Sequence, residues 1–117
     1  MATARSLIGR GGRNAWDNIS ASATDSVLVA AVTGVKIRIL AVLINHGDTT
    51  PSSVTFNSKG AGAGTAISPL LKGPANGGFV VPYSKQGWWE SASGEGITVS
   101  TGAGSTTGVT VLYERVK

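Results

Sequence analysis

The chain has no cysteine, which excludes disulfide staples and thiolate metal sites and leaves packing and association to supply stability. Charge is sparse too: Asp, Glu, Lys and Arg make up 14% of the 117 residues, against about a quarter in an average domain. Aromatic residues make up only 6%. Such a weakly charged surface is suited to lying against other protein. No apolar run approaches the ~18 residues of a membrane span. The first ten residues lack the apolar core of a signal peptide, so synthesis in a cytoplasm-like compartment is expected. No segment longer than a turn carries a helical period. The spacing Gly60-Ala61-Gly62-Ala63-Gly64 mimics a nucleotide loop, but no Gly-Lys-Ser/Thr and no amphipathic helix follow it.

What is present is turn chemistry and short β-favouring runs. Seventeen glycines against four prolines place the chain among loop-rich β folds, because glycine supplies positive-φ turn positions and is poor inside helices. Hydrophobic residues make up 41% of the chain, enough at this length for one domain with a core of its own. The net charge of +4 would raise nucleic acid as a partner. Only the arm bearing Arg5, Arg10 and Arg13 is locally basic, however. The remaining cations are scattered and are not interleaved with stacking aromatics, which argues against that partner.

Residues 1–17, with Gly9-Arg10-Gly11-Gly12-Arg13 at their centre, read as a flexible arm ahead of a domain spanning 18–117. Strand-like sequence begins near Asn18. Val27 to Val32 is an apolar run of strand length, and Val35 to Asn45 is the longest candidate. In its first half Val35, Ile37 and Ile39 alternate with Lys36 and Arg38; in its second half both faces become apolar, which predicts cover on both sides by a second sheet or another subunit. Further strands are expected at Ser53–Ser58, at a proline-broken edge around Ala66–Leu71, and at Phe79–Val81, Ile97–Ser100 and Gly108–Val116. Seven or eight strands joined by Gly, Ser, Asp and Pro turns give an all-β fold, an antiparallel β-sandwich or jelly roll with an extended N-terminal arm.

Few residues offer chemistry. His46 with Asp48 two positions on is too small a set for a metal site, which usually takes three or four ligands, so a polar turn is expected there. Glu90 and Glu95 resemble a glycosidase pair only in type, and polar turns suit them better. No catalytic, cofactor or metal residue is therefore assigned. The contact candidates are Arg5, Arg10 and Arg13, which can pair with carboxylates on a neighbouring subunit, Trp16, which needs somewhere to dock, and the adjacent Trp88 and Trp89. Along a strand these last two point to opposite faces, so one fills the core while the other looks outward, as a protein anchor or as a stacking platform for a glycan.

Several blocks resemble small virion proteins of tailed bacteriophages. They are the apolar run, glycine and basic strand from Val27 to Ile44, the Thr-x-Phe type strand around Phe56, and the Gly73-Pro74 and Asn76-Gly77-Gly78 turns. The Gly87-Trp88-Trp89-Glu90 corner, the Gly94-Glu95 pair and a last strand carrying Tyr113 complete the set. The resemblance spans about residues 26–116. It implies a head decoration or cement protein: a non-enzymatic β-sandwich or jelly roll that sits as a homotrimer on the capsid surface of the virion and bridges major capsid protein subunits. A tail-fibre or receptor-binding module recognising host glycans is the alternative.

Overall fold

The computed structural model describes residues 12–20, 22–47, 52–102 and 106–117. Ten strands run through them: β1 (Gly12–Ile19), β2 (Ser26–Val29), β3 (Lys36–Asn45), β4 (Ser52–Lys59), β5 (Thr65–Ala66), β6 (Leu71–Gly73), β7 (Gly78–Val81), β8 (Trp89–Glu90), β9 (Gly96–Thr101) and β10 (Thr107–Val116). They form two five-stranded antiparallel sheets. Sheet I has the order β1-β10-β3-β7, with β8 also on β3; sheet II has the order β2-β9-β4-β5, with β6 also on β4. The expected all-β sandwich is observed. The strand count exceeds the expected seven or eight because β5, β6 and β8 are two- or three-residue pieces at sheet edges, too short to show a period.

The core is filled from both inner faces. Ile37, Ile39, Val42, Ile44, Val109 and Val111 come from sheet I, and Val54, Phe56, Ile97 and Val99 from sheet II. Phe56 is fully buried and stacks on Trp89 with ring centroids 5.8 Å apart, a contact that adds to the area both rings bury.

The central strand β3 is bulged. Leu112 of β10 faces Ala41 and Tyr113 faces Ile39, so Leu40 is an extra residue without an opposite number. The inward set therefore changes parity, from Ile37 and Ile39 before the bulge to Val42 and Ile44 after it. This explains why the second half of the run looks apolar on both faces. Only one of those faces is covered by the fold, because Leu43 stays exposed.

The arm boundary needs correction. Residues 12–17 belong to β1, which pairs with β10 from Gly12↔Glu114 to Ile19↔Thr107. The segment carries little apolar sequence because it lies at the sheet edge and gives only Ala15 and Ile19 to the core. Its backbone is ordered by the β10 ladder, not by a local pattern.

Sheet II carries a polar knot on its outer side. Asp25, held at φ 51°, accepts hydrogen bonds from the Gly64 N–H (3.0 Å), the Thr98 hydroxyl (2.9 Å) and Asn57 Nδ2 (3.1 Å). The Gly64 N–H, followed by the Thr98 hydroxyl, holds the Asp25 carboxyl below the usual carboxylate range. His46 is not the polar turn expected of it. It is buried against Phe79 with ring centroids 6.0 Å apart, and the space beside its ring is open only because residue 73 is glycine. Among the described residues neither of its ring nitrogens has a hydrogen-bond partner, and burial pushes its pKa down.

Two outcomes follow. Phe56→Ala should lower unfolding free energy by about 3–5 kcal/mol, measured by urea denaturation, because it empties a fully buried aromatic site. The second concerns pH. His46 stays neutral in the folded chain below the pH at which the unfolded chain protonates it, so its contribution is complete above the unfolded value of 6.5 and is lost as pH falls from there to the lower folded value. Wild type should therefore lose stability as pH falls below 6.5, and His46→Phe should flatten that part of the profile.

Candidate docking face

The outer side of sheet I is read directly from the register. Trp16 lies opposite Thr110, Thr110 opposite Leu43, and Leu43 opposite Val80. Directly opposed residues of antiparallel strands point to the same face. The four side chains therefore form one row across β1, β10, β3 and β7, some 14 Å from first strand to last at ~4.8 Å per step. Trp16 is 69% exposed, Leu43 42% and Val80 64%. The neighbouring row, Asn14–Leu112–Ala41, adds two more apolar side chains.

At the other end of β3 the same face is charged. Before the bulge the outward positions are Lys36 and Arg38, not leucine and alanine. Arg38 lies between two carboxylates: its Nε donates to Glu90 at 3.0 Å and its Nη1 to Glu114 at 3.1 Å. Glu90, followed by Glu114, raises the guanidinium pKa further above its ordinary value. Lys36 is 3.7 Å from Glu90. The cluster neutralises most of its own charge, so it marks a polar margin to the apolar rows. Glu90 is thus an ion-pair partner and not a turn residue, while Glu95 accepts the Ser58 hydroxyl at 2.6 Å. These two carboxylates have separate partners, and among the described residues no three His, Cys, Asp or Glu come together as a metal set.

The tryptophan pair divides as expected. Trp89, in β8, packs onto the core over Phe56. Trp88 turns outward with 45% exposure, and its indole N–H donates to the Pro82 carbonyl at 2.7 Å. That bond leaves the ring face as the group available to a partner. Beside it, Arg38, Gln86, Gly87, Trp88, Trp89 and Glu90 line a shallow recess of about 200 Å³. Gly87, at φ 85°, is needed there, because a Cβ would run into the Arg38 side chain.

Of the other sequence candidates, Trp16 stands on the outer face of β1 and not on an arm, and Arg13 lies exposed on the same strand. Arg5 and Arg10 lie outside the described residues. The structure does not bring Trp16 and the Trp88–Trp89 pair together: β1 and β8 belong to opposite margins of sheet I. Sequence reasoning missed Leu43, Val80 and Leu112. The doubly apolar half of β3 was the signal for Leu43; the other two needed the register.

Fold and face together define an antiparallel β-sandwich with a polar knot on the outer side of one sheet and an exposed apolar row on the outer side of the other. No protein family, curated protein or solved structure matches the chain.

Because the row is exposed, it should contribute little to folding. Leu43→Thr and Val80→Thr should each change unfolding free energy by no more than about 0.5 kcal/mol. Val42→Thr, one position along, places a hydroxyl in the core and should cost about 1–3 kcal/mol. Chemical denaturation of the three variants measures this.

Proposed function

We infer that the protein is a non-enzymatic structural module that attaches to an assembled protein shell through the outer face of sheet I. In the setting implied by its resemblance to phage head decoration proteins, it cements the outside of the capsid. The observation that carries this reading is the uncovered row Trp16–Leu43–Val80, flanked by Leu112 and Ala41, on an otherwise lightly charged fold. Burying an exposed valine or leucine fully contributes about 1.5–3 kcal/mol, so covering this row gives a partner several anchors at once. The neutralised Arg38–Glu90–Glu114 margin adds no strong field that would repel a shell of either sign. Cementing requires no turnover. A module that binds only the assembled shell stabilises that shell by mass action, and several copies on neighbouring sites add avidity. The partner in this reading is the major capsid protein, the place is the virion surface, and the protein is made in the host cytoplasm.

One observation favours a second reading, recognition of host glycans by a tail module. The Trp88 ring is exposed beside polar Arg38, Gln86 and Glu90, an arrangement suited to stacking on a sugar. The recess is smaller than the ~300–1,000 Å³ usual for ligand pockets, so it ranks second.

The test adds purified protein to heads assembled without it and follows both saturable binding and heat resistance of the particles. Wild type should saturate and protect the heads, Leu43→Asp/Val80→Asp should do neither, and Trp88→Ala should behave as wild type. Binding to glycans or cells that depends on Trp88, with no binding to heads, would replace the cement reading with the second one.

A further inference from the structure

The free edge of β1 suits a second copy of itself. Among the described residues β1 ends sheet I, with β10 on one side and no strand on the other. Its hydrogen-bonding polarity can be followed across the sheet. The Ile37 and Ile39 carbonyls accept bonds from Ser91 and Trp88, on the side of β3 away from β10. Groups alternate along a strand, so Arg38 faces β10 and exchanges bonds with Glu114, its opposite number. Tyr113 then turns toward β1, where it meets Arg13. Odd residues of β1 are thus bonded to β10, and the N–H and C=O groups of Asn14, Trp16 and Asn18 point away from the sheet. In agreement, the Asn18 N–H is taken by its neighbour's side chain, Asp17 Oδ1, at 2.8 Å.

An unpaired edge of this length is a template for another strand, and its side chains restrict what fits. Two antiparallel copies of β1 can meet at the outward-bonding residues only in registers whose two-fold axis passes through a residue position. Centred on Ala15, the pairing sets Arg13 opposite Asp17 of the other copy, and the same pair recurs across the axis. Both fall at non-hydrogen-bonded positions, where opposed side chains are closest. Asn14 and Trp16 of opposite copies then exchange the backbone bonds, and the small Ala15 lies on the axis. Centring on Asn14 or Trp16 would leave both charges without an opposite partner. Arg13 and Asp17 are both exposed, so neither is already committed to the core.

We propose that β1 pairs with β1 of a second copy, antiparallel about Ala15 and locked by two reciprocal Arg13–Asp17 contacts, to join two sheets I into one. The two Trp16 side chains then lie on the same outer face, diagonal to each other across the seam, so the apolar rows of the two copies become continuous. The pairing does not depend on what that face binds, and it gives a two-fold assembly where the phage resemblance implies a trimer.

Sedimentation equilibrium of the full chain tests it. Wild type should be a dimer. Arg13→Asp or Asp17→Arg each turns two attractive contacts into repulsive ones and should weaken dimerisation about tenfold or more. The double variant Arg13→Asp/Asp17→Arg restores opposite charges and should recover wild-type affinity. Asn14→Pro removes an outward N–H, which an edge strand tolerates, and should give a monomer that keeps the wild-type circular dichroism spectrum. A wild-type monomer or trimer, a double variant no tighter than the single ones, or an Asn14→Pro chain that still dimerises would overturn the proposal.

Discussion

The extra residue in β3 is the constraint on which the rest of the molecule depends. β3 is hydrogen-bonded to β10 along its length and to β7 and β8 on its other side, so its pleat sets which residues of sheet I meet sheet II. Uniform alternation could place either Ile37 and Ile39 or Val42 and Ile44 in the core, but not both pairs. The bulge at Leu40 lets all four point inward. The same step divides the outer face, with charge on Lys36 and Arg38 before it and apolar surface on Ala41 and Leu43 after it. Core and docking face are two consequences of one local irregularity.

The two sheets use their outer sides differently. On sheet II, residues that could have bonded water bond each other: Asp25 joins the entry to β2 with the Gly64 loop and with Asn57 and Thr98 on adjacent strands. The acceptor groups of the carboxylate are satisfied from three directions, which keeps it ionised and holds the loop down. Nothing comparable covers Leu43 and Val80 among the described residues. A sandwich whose one outer face carries a hydrogen-bonded polar cluster with a single exposed valine, Val27, and whose other carries the row Trp16, Leu43 and Val80 concentrates its exposed apolar surface on sheet I.

Much of this architecture is legible in the amino-acid sequence. The alternation in β4 and β10, the glycine and proline punctuation and the missing helical period gave the sandwich, and the Trp88–Trp89 adjacency gave one inward and one outward ring. The failures have a common cause. β1 is held by β10 and not by its own apolar content, so a window over residues 12–17, where Ala15 and Trp16 are adjacent and the rest are glycine, polar or charged, shows no strand alternation. The pairing of Trp16 with Thr110, Leu43 and Val80 is a matter of register among segments distant in sequence. His46 looked polar because its neighbours Asn45, Gly47 and Asp48 are, while the cavity that receives it is made by Gly73 and Phe79, more than twenty-five positions away. Periodicity signalled that β3 changes character near Leu40. It could not distinguish a strand covered on both faces from one whose faces exchange.

That exchange can be measured directly because the chain has no cysteine to interfere. Single cysteines placed in turn at each position from 36 to 45 can be treated with a thiol reagent under native conditions. Fast labelling is expected at 36 and 38, then at 43 and 45, with protection at 37, 39, 42 and 44, so that the reactive parity changes from even to odd across Leu40. Reactivity that alternates without a break along the whole strand, or protection at 43 with labelling at 42, would contradict both the bulge and the docking face built on it.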